Sequence, residues 1–179
     1  MIERAETRVI ERARRIRLLL LDVDGVLTDG SIIYDDDGIE TKVFNVKDGM
    51  GIRLLQIGNI EVGIATGRTS GALVHRCRNL GITRIFQGLK NKTVVLETIR
   101  NDLGLAVDQI AFVGDDLVDI AIMKRVGLAI AVADAHEAVI DVSHMVCRAT
   151  GGHGAVREVA EYILKAQNQW YDILKRFSE

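Results

Sequence analysis

The stretch Leu18-Leu19-Leu20-Leu21-Asp22-Val23-Asp24-Gly25 decides how the chain is read. Four consecutive leucines make an apolar run with the length and continuity of a parallel strand covered on both faces. Asp22 and Asp24 then fall at its carboxyl end, where open α/β sheets place their chemistry. Two carboxylates two residues apart repel each other. Such a pair needs a cation, a shared proton or separate tasks. A single Asp at this place would read as a turn or helix-cap residue. The pair reads as a site because further carboxylates, a threonine and a lysine stand at the later strand ends and helix starts.

Strand and helix signals alternate after residue 17. The patterns predict strands at 17–22, 60–65, 83–86, 109–113 and 128–132, and helices at 49–57, 70–80, 92–103 and 116–124. Such alternation implies one Rossmann-like parallel sheet with helices on both faces. The stretch 154–177 reads as one or two helices, with Val156, Val159, Ala160, Ile163 and Leu164 as an apolar stripe. Ile2, Ala5, Val9, Ile10 and Ala13 recur at helical spacing and predict an amphipathic N-terminal helix packed on the domain. One segment breaks the alternation. Ser31–Tyr34 and Glu40–Phe44 are β-rich and flank Asp35-Asp36-Asp37-Gly38, which predicts a hairpin over 31–44. Its three aspartates read as turn chemistry rather than metal ligands.

With 179 residues the chain suits a single domain spanning 1–179. Its 48% hydrophobic and 27% charged residues are those of a globular protein. A net charge of −2 offers no general basic surface for nucleic acid. No apolar run approaches the roughly 20 residues of a membrane helix. The start, MIERAETRVIERARRIR, lacks an apolar signal core, so a cytoplasmic protein is expected. Cys77 and Cys147 read as reduced thiols rather than a disulfide framework.

Four signals recur where strands end or helices begin. Asp22-x-Asp24-Gly25 comes after the first strand, and Thr66-Gly67-Arg68 after the second. Lys92 opens the helix after the third, and Gly114-Asp115-Asp116-Leu117-Val118-Asp119 comes after the fourth. In a parallel sheet these ends converge on one edge. Several carboxylates, a hydroxyl and a lysine suit phosphoryl transfer. A carboxylate can attack phosphorus, magnesium can screen it from an anionic substrate, and Lys and Thr can hold the equatorial oxygens. A second carboxylic acid can protonate the leaving oxygen and later activate water. Other signatures fail. Gly49-Met50-Gly51 lacks the third glycine of a dinucleotide fingerprint, and Lys92-Thr93 lacks the preceding glycine of a P-loop.

DxDG, then Thr-Gly, then Lys, then GDDxxD resembles the haloacid dehalogenase-like phosphatase superfamily. The resemblance implies that Asp22 is the nucleophile and Asp24 the general acid/base. It implies magnesium held by Asp22, the Asp24 carbonyl and Asp115, and a phosphoryl group held by Thr66 and Lys92. Asp116 and Asp119 would stand behind them, orienting the metal's water and Lys92. LLLLDVDGVLTDG, Phe44–Arg53, ATGR, FQGLKNK, GDDLVD and GGHGAVRE resemble the 3-deoxy-D-manno-octulosonate 8-phosphate phosphatases of lipopolysaccharide biosynthesis. That implies a phosphorylated sugar acid as substrate and no large cap domain. It also implies a homotetramer joined by the 31–44 hairpin, with neighbouring subunits covering each other's sites. Asn45, Val46, Lys47, Asp48, Gly49, Arg53, Arg68 and Arg76 match the group's substrate-binding positions, beside Asp24 and Lys92. Arg53, Arg68, Arg76 and Lys47 give more positive charge than one phosphate needs, which suits a substrate with a second anion. Lys47 stands where Arg is usual, and His153 where the group has GGRG. A neutral imidazole grips a carboxylate less well than a guanidinium fork.

Three rivals share part of this inventory. A phosphatase-like protein serving mainly as an assembly or binding module would not need the complete set of catalytic residue types found here. A signalling receiver domain also combines an acidic pair, an acceptor Asp, a Thr and a Lys. Its acceptor comes after the third strand and its Lys comes last, whereas here Lys92 precedes Asp115 and no Asp ends the third strand at Phe86-Gln87-Gly88. A phosphatase for a nine-carbon, sialic-acid-type sugar phosphate tends to carry Glu where Arg68 stands.

Overall fold

The computed structural model describes residues 2–178, with side chains from residue 6 onward. Ile2 and Ala5 of the predicted N-terminal stripe lie outside the residues whose side chains are described. Helix α1 (Ile2–Arg15) leads into β1 (Leu18–Leu21). The hairpin strands β2 (Ile33–Tyr34) and β3 (Glu40–Thr41) come next, then α2 (Val46–Ile57), β4 (Glu61–Ala65), α3 (Gly71–Leu80), β5 (Arg84–Phe86) and α4 (Val94–Leu103). After β6 (Ile110–Gly114) come a 3₁₀ turn at 117–119, α5 (Ile120–Met123), β7 (Leu128–Ala131), α6 (Glu137–Val142) and β8 (Met145–Val146). Helices α7 (Ala155–Ala166) and α8 (Trp170–Lys175) complete the described chain.

Six strands pair in parallel in the order β5-β4-β1-β6-β7-β8, and β2-β3 form a separate antiparallel pair. All four leucines of β1 are fully buried because both faces are covered. Leu19 and Leu21 belong to the core under α2, α3 and α7, and Leu18 and Leu20 to the core under α4, α5 and α6. That split is the two-residue side-chain period of a strand. Strands β4, β1 and β6 are neighbours, with Leu21 opposite Ile64 and Val113. The chain therefore leaves the sheet at Asp22, Thr66 and Asp115 on one edge.

The predicted strands and helices stand within a few residues of their observed bounds, with two informative differences. Helix α2 begins at Val46 rather than 49, because Asn45 caps it: its side-chain oxygen accepts the Lys47 N–H at 2.8 Å. The predicted 116–124 helix is a 3₁₀ turn followed by one short α-turn, since the Asp116 and Asp119 carboxylates take up its first amides. Helix α6 and strand β8 are additions. They are six and two residues long, too short for periodicity to announce them. Cys77 and Cys147 are free and buried. Within the hairpin only two residue pairs form, Ile33 with Thr41 and Tyr34 with Glu40. The Asp35 carboxylate accepts the Asp37 and Ile39 amides at 3.1 and 2.7 Å, so it serves the turn.

Helices α2 and α7 pack at close quarters through Gly51. A Cβ there would stand 2.8 Å from the Arg157 Cα, a backbone atom that cannot swing aside. Gly51→Ala is expected to lower stability by about 1–3 kcal/mol through overpacking, despite the better helix propensity of Ala. Gly71→Ala, at the start of α3 with nothing within 4 Å of its Cβ, should be neutral or slightly stabilising. Thermal denaturation of the two variants checks the contrast.

Candidate active site

Asp22 is the first residue past β1. Its N–H donates to the Val113 carbonyl at 3.1 Å, and the residue is only 6% exposed. The next turn folds back on itself, with the amides of Val26, Leu27 and Thr28 all directed at the Val23 carbonyl. Gly25 makes this possible. It has φ +85°, and any Cβ would lie 2.0 Å from a carboxylate oxygen of Asp115. The glycine of DxDG thus lets the β1 turn approach the carboxylate delivered by β6.

Lys92 enters from the loop before α4, with its side chain 3% exposed. Its Nζ stands 2.7 Å from Asp22 Oδ2 and 2.6 Å from Asp119 Oδ1. These carboxylates hold the ammonium charged against the cost of burial and push its pKa up. The other Asp119 oxygen accepts the Asp115 N–H at 3.0 Å and the Asp116 N–H at 3.5 Å. Asp116 is exposed and caps the 3₁₀ turn, accepting the Leu117 N–H at 2.7 Å. Thr66 is the first residue past β4, is 2% exposed and donates its N–H to the Phe86 carbonyl. Asp22, Asp24, Thr66, Arg68, Lys92, Asp115 and Asp116 together line one cleft.

This cleft has more negative charge than its own lysine neutralises. Burial, then Asp119, raises the pKa of Asp22 to about 6, with Lys92 pulling the other way. Burial, then Asp22 and Asp119, raises Asp115 to about 8. Asp115 Oδ1 is buried and has no hydrogen-bond partner among the described residues. Oxygens of Asp22, Asp115 and Asp119 lie within 4.8 Å of one another. Asp119 has both oxygens occupied by Lys92 and backbone amides, so Asp22 and Asp115 are left to face a cation. A small hard divalent ion with oxygen ligands fits this donor set and would satisfy the orphaned Asp115 oxygen.

The hairpin adds a second layer that the sequence patterns did not reveal. Lys42, its side chain 2% exposed, pairs with Asp24 Oδ1 and stands 3.3 Å from Glu40 Oε1. Arg68 Nε stands 3.6 Å from Asp24 Oδ2, while its NH2 donates to Glu40 at 2.5 Å and to the Tyr34 hydroxyl at 3.3 Å. A lysine and a glutamate two apart in a polar strand look like a solvated edge. No spacing rule links them to an aspartate 18 residues before the lysine.

The remaining sequence-predicted residues gather elsewhere. Arg76 donates to the Asn45 carbonyl at 3.2 Å and lies over the Phe44 ring, and Arg53 donates to the Asn79 carbonyl at 3.0 Å. With Val46, Gly49, Met50, Asn79 and Leu80 they line a second hollow, which shares no residue with the Asp22 cleft. Lys47 is exposed. Asn45 Nδ2 donates to the Gly152 carbonyl at 3.1 Å. Asp48 is buried and accepts the Gly154 and Arg157 amides at 3.1 and 2.9 Å, capping α7. Its carboxylate is committed to the fold. His153 Nδ1 stands 2.8 Å from the Gly151 carbonyl, in the loop before α7. A larger hollow lies between α1, β8 and α7, where His144 accepts the Ala129 N–H, Glu158 accepts the Arg148 and Ala149 amides and Glu161 pairs with Lys165.

A parallel sheet that places a carboxylate pair, Thr, Lys and a GDD turn on one edge defines a haloacid dehalogenase-type hydrolase. The model of the haloacid dehalogenase-like hydrolases matches residues 81–159. The 3-deoxy-D-manno-octulosonate 8-phosphate phosphatase KdsC of Escherichia coli (strain K12) is 48% identical over 161 residues, covering 90% of this chain and 86% of that one. The crystal structure of the corresponding phosphatase from Yersinia pestis superposes with a TM-score of 0.90 at 47% identity, covering 92% of this chain and 89% of the other. A Moraxella catarrhalis phosphatase of the same name, crystallised with magnesium ion, phosphate ion and KDO, gives a TM-score of 0.93 at 40% identity over 96% of this chain and 98% of that one. The chain belongs to the 3-deoxy-D-manno-octulosonate 8-phosphate phosphatase family.

The raised pKa values have a consequence for the metal-free protein. Asp22 and Asp115 bind protons more tightly folded than unfolded, so their contribution to stability falls as pH rises from the usual carboxylate range to about 8. A divalent ion replaces those protons. The rise in melting temperature on adding magnesium is therefore expected to be larger at about pH 8 than at about pH 5. Thermal scans with magnesium and with chelator check this. An equal rise at both pH values would count against Asp22 and Asp115 as the ion's ligands.

Proposed function

We propose that this chain hydrolyses 3-deoxy-D-manno-octulosonate 8-phosphate to the free sugar acid and phosphate, through a phosphorylated Asp22. The observation that carries this reading is the arrangement of Asp22: buried, ion-paired to Lys92 at 2.7 Å, and beside an Asp115 oxygen without a partner. Family membership supplies the substrate, and the cleft supplies the chemistry.

Asp22 attacks phosphorus with one carboxylate oxygen, and the bond from phosphorus to the sugar oxygen breaks. Asp24 gives that oxygen its proton, so the sugar acid leaves neutral at the cleaved position. Asp24 then takes a proton from water, whose oxygen attacks the aspartyl phosphate and restores Asp22. Lys92 and Thr66 hold the equatorial oxygens where charge gathers. Asp119 keeps Lys92 aimed, and its hold on the Asp115 amide fixes the turn that presents Asp115. Asp22, the Asp24 carbonyl and Asp115 would hold magnesium, which would supply the charge that lets an anionic carboxylate meet an anionic phosphate. Arg68, on the cleft wall two residues after Thr66, receives the substrate's carboxylate.

Arg53 and Arg76 lie in a separate hollow, which supports a role toward a neighbouring subunit's site. Ile32, Ile33, Ile39 and Val43 of the hairpin are 44–66% exposed, an apolar ribbon of a kind that is marginal alone. A homotetramer joined by this hairpin would cover it and bring one subunit's arginines to the next. Light scattering is expected to give four times the 19.7 kDa chain mass. A monomer at working concentration would contradict the assembly.

Phosphate release from a panel of sugar phosphates tests the function. The sugar acid phosphate is expected to exceed glucose 6-phosphate by about 100-fold or more in kcat/KM, since the remote carboxylate positions the phosphate. Asp22→Asn should lower turnover by at least about 1,000-fold, the scale of losing an activated nucleophile. Retained turnover in that variant would overturn the mechanism, and equal efficiency on the two sugars would overturn the substrate.

A further inference from the structure

We propose that Glu40 is a built-in competitor for the substrate's carboxylate: it occupies Arg68 when no sugar acid is bound, and its return to Arg68 expels the dephosphorylated product. This rests on the proposed function, in which Arg68 receives that carboxylate. The hairpin places Tyr34 directly opposite Glu40, and both reach the same guanidinium nitrogen, Glu40 at 2.5 Å and Tyr34 at 3.3 Å. The Glu40 side chain is 14% exposed, whereas Arg68 is 41% exposed on the cleft wall. Asp24 and Glu40 together balance Lys42 and Arg68, so Arg68, one of the four cations that the sequence assigns to a second substrate anion, already has an anion of the chain's own.

A guanidinium offers a carboxylate a limited fork of donors. Glu40 presents its carboxylate to that fork from within the same chain, at a high effective concentration. A free sugar acid must win the fork with its carboxylate alone. The phosphorylated substrate is also anchored at Thr66 and Lys92, so its carboxylate competes as an intramolecular group too. Cleavage removes that anchor and returns the advantage to Glu40. Displacement does not strand Glu40, because Lys42 lies 3.3 Å away as a second partner. The same hairpin that awaits a neighbouring subunit would therefore help discriminate substrate from product.

Inhibition of p-nitrophenyl phosphate hydrolysis by free 3-deoxy-D-manno-octulosonate and by inorganic phosphate tests this in wild type, Glu40→Gln and Arg68→Ala. Glu40→Gln is expected to tighten inhibition by the sugar acid roughly tenfold, with inhibition by inorganic phosphate changed less than about twofold. A merely structural role for Glu40 would weaken sugar-acid binding, the opposite sign. Arg68→Ala should weaken the sugar acid markedly. Unchanged inhibition in Arg68→Ala would overturn the carboxylate reading of Arg68 itself. Weakening in Arg68→Ala without tightening in Glu40→Gln would overturn only the competitor. Should Glu40→Gln lose its fold or assembly by circular dichroism or light scattering, Glu40→Ala, which removes the competing carboxylate outright, carries the same test with the same expected tightening.

Discussion

One buried ammonium organises the molecule. Lys92 Nζ lies between Asp22 and Asp119 at 2.7 and 2.6 Å, with the face of Phe112 5.7 Å away. An unpaired lysine could not remain charged there, and two unpaired carboxylates could not both ionise. Together they tie the end of β1, the turn after β6 and the start of α4 to one point. Asp119 extends the tie by accepting the Asp115 amide, which presents the Asp115 carboxylate to the cleft. The balance is incomplete: three clustered carboxylates against one ammonium leave a net negative hole. That residual charge is what a divalent cation would neutralise, so the same ion pair that holds the fold's edge together also prepares its chemistry.

Around this fixed centre the chain uses glycine to bring backbone and carboxylate together. Gly25 admits Asp115 to the β1 turn, and Gly51 lets α2 lie directly on α7. Helix α7 is capped by Asp48 from α2, so the loop carrying Gly151–Gly154 is held against the DxDG turn. The apolar layers supply the stability, and these close contacts set where the functional groups stand.

The hairpin is the one element whose role is set by what it touches rather than by its own regularity. It has two residue pairs and an exposed apolar face, yet its Lys42 and Glu40 reach Asp24 and Arg68. Any partner that orders this ribbon would act on the cleft through those ion pairs, which gives assembly a direct physical route to the site.

The fold class, the parallel sheet and the convergence of Asp22, Asp24, Thr66, Lys92 and Asp115 on one cleft were legible in the sequence. Strand-terminal motifs in a parallel sheet have only one edge on which to meet, and a fully apolar run such as Leu18–Leu21 has only one way to be buried. Family resemblance carried the substrate class further than the residue types alone could. Only the tertiary structure separated Arg53 and Arg76 from the cleft, committed Asp48 to capping α7, and placed Lys42 and Glu40 beside Asp24 and Arg68. These depend on how far a helix or hairpin carries a side chain from the sheet edge and which neighbour it meets there. Those contacts join residues up to 109 positions apart, and no local pattern of charge or periodicity encodes a distance of that kind.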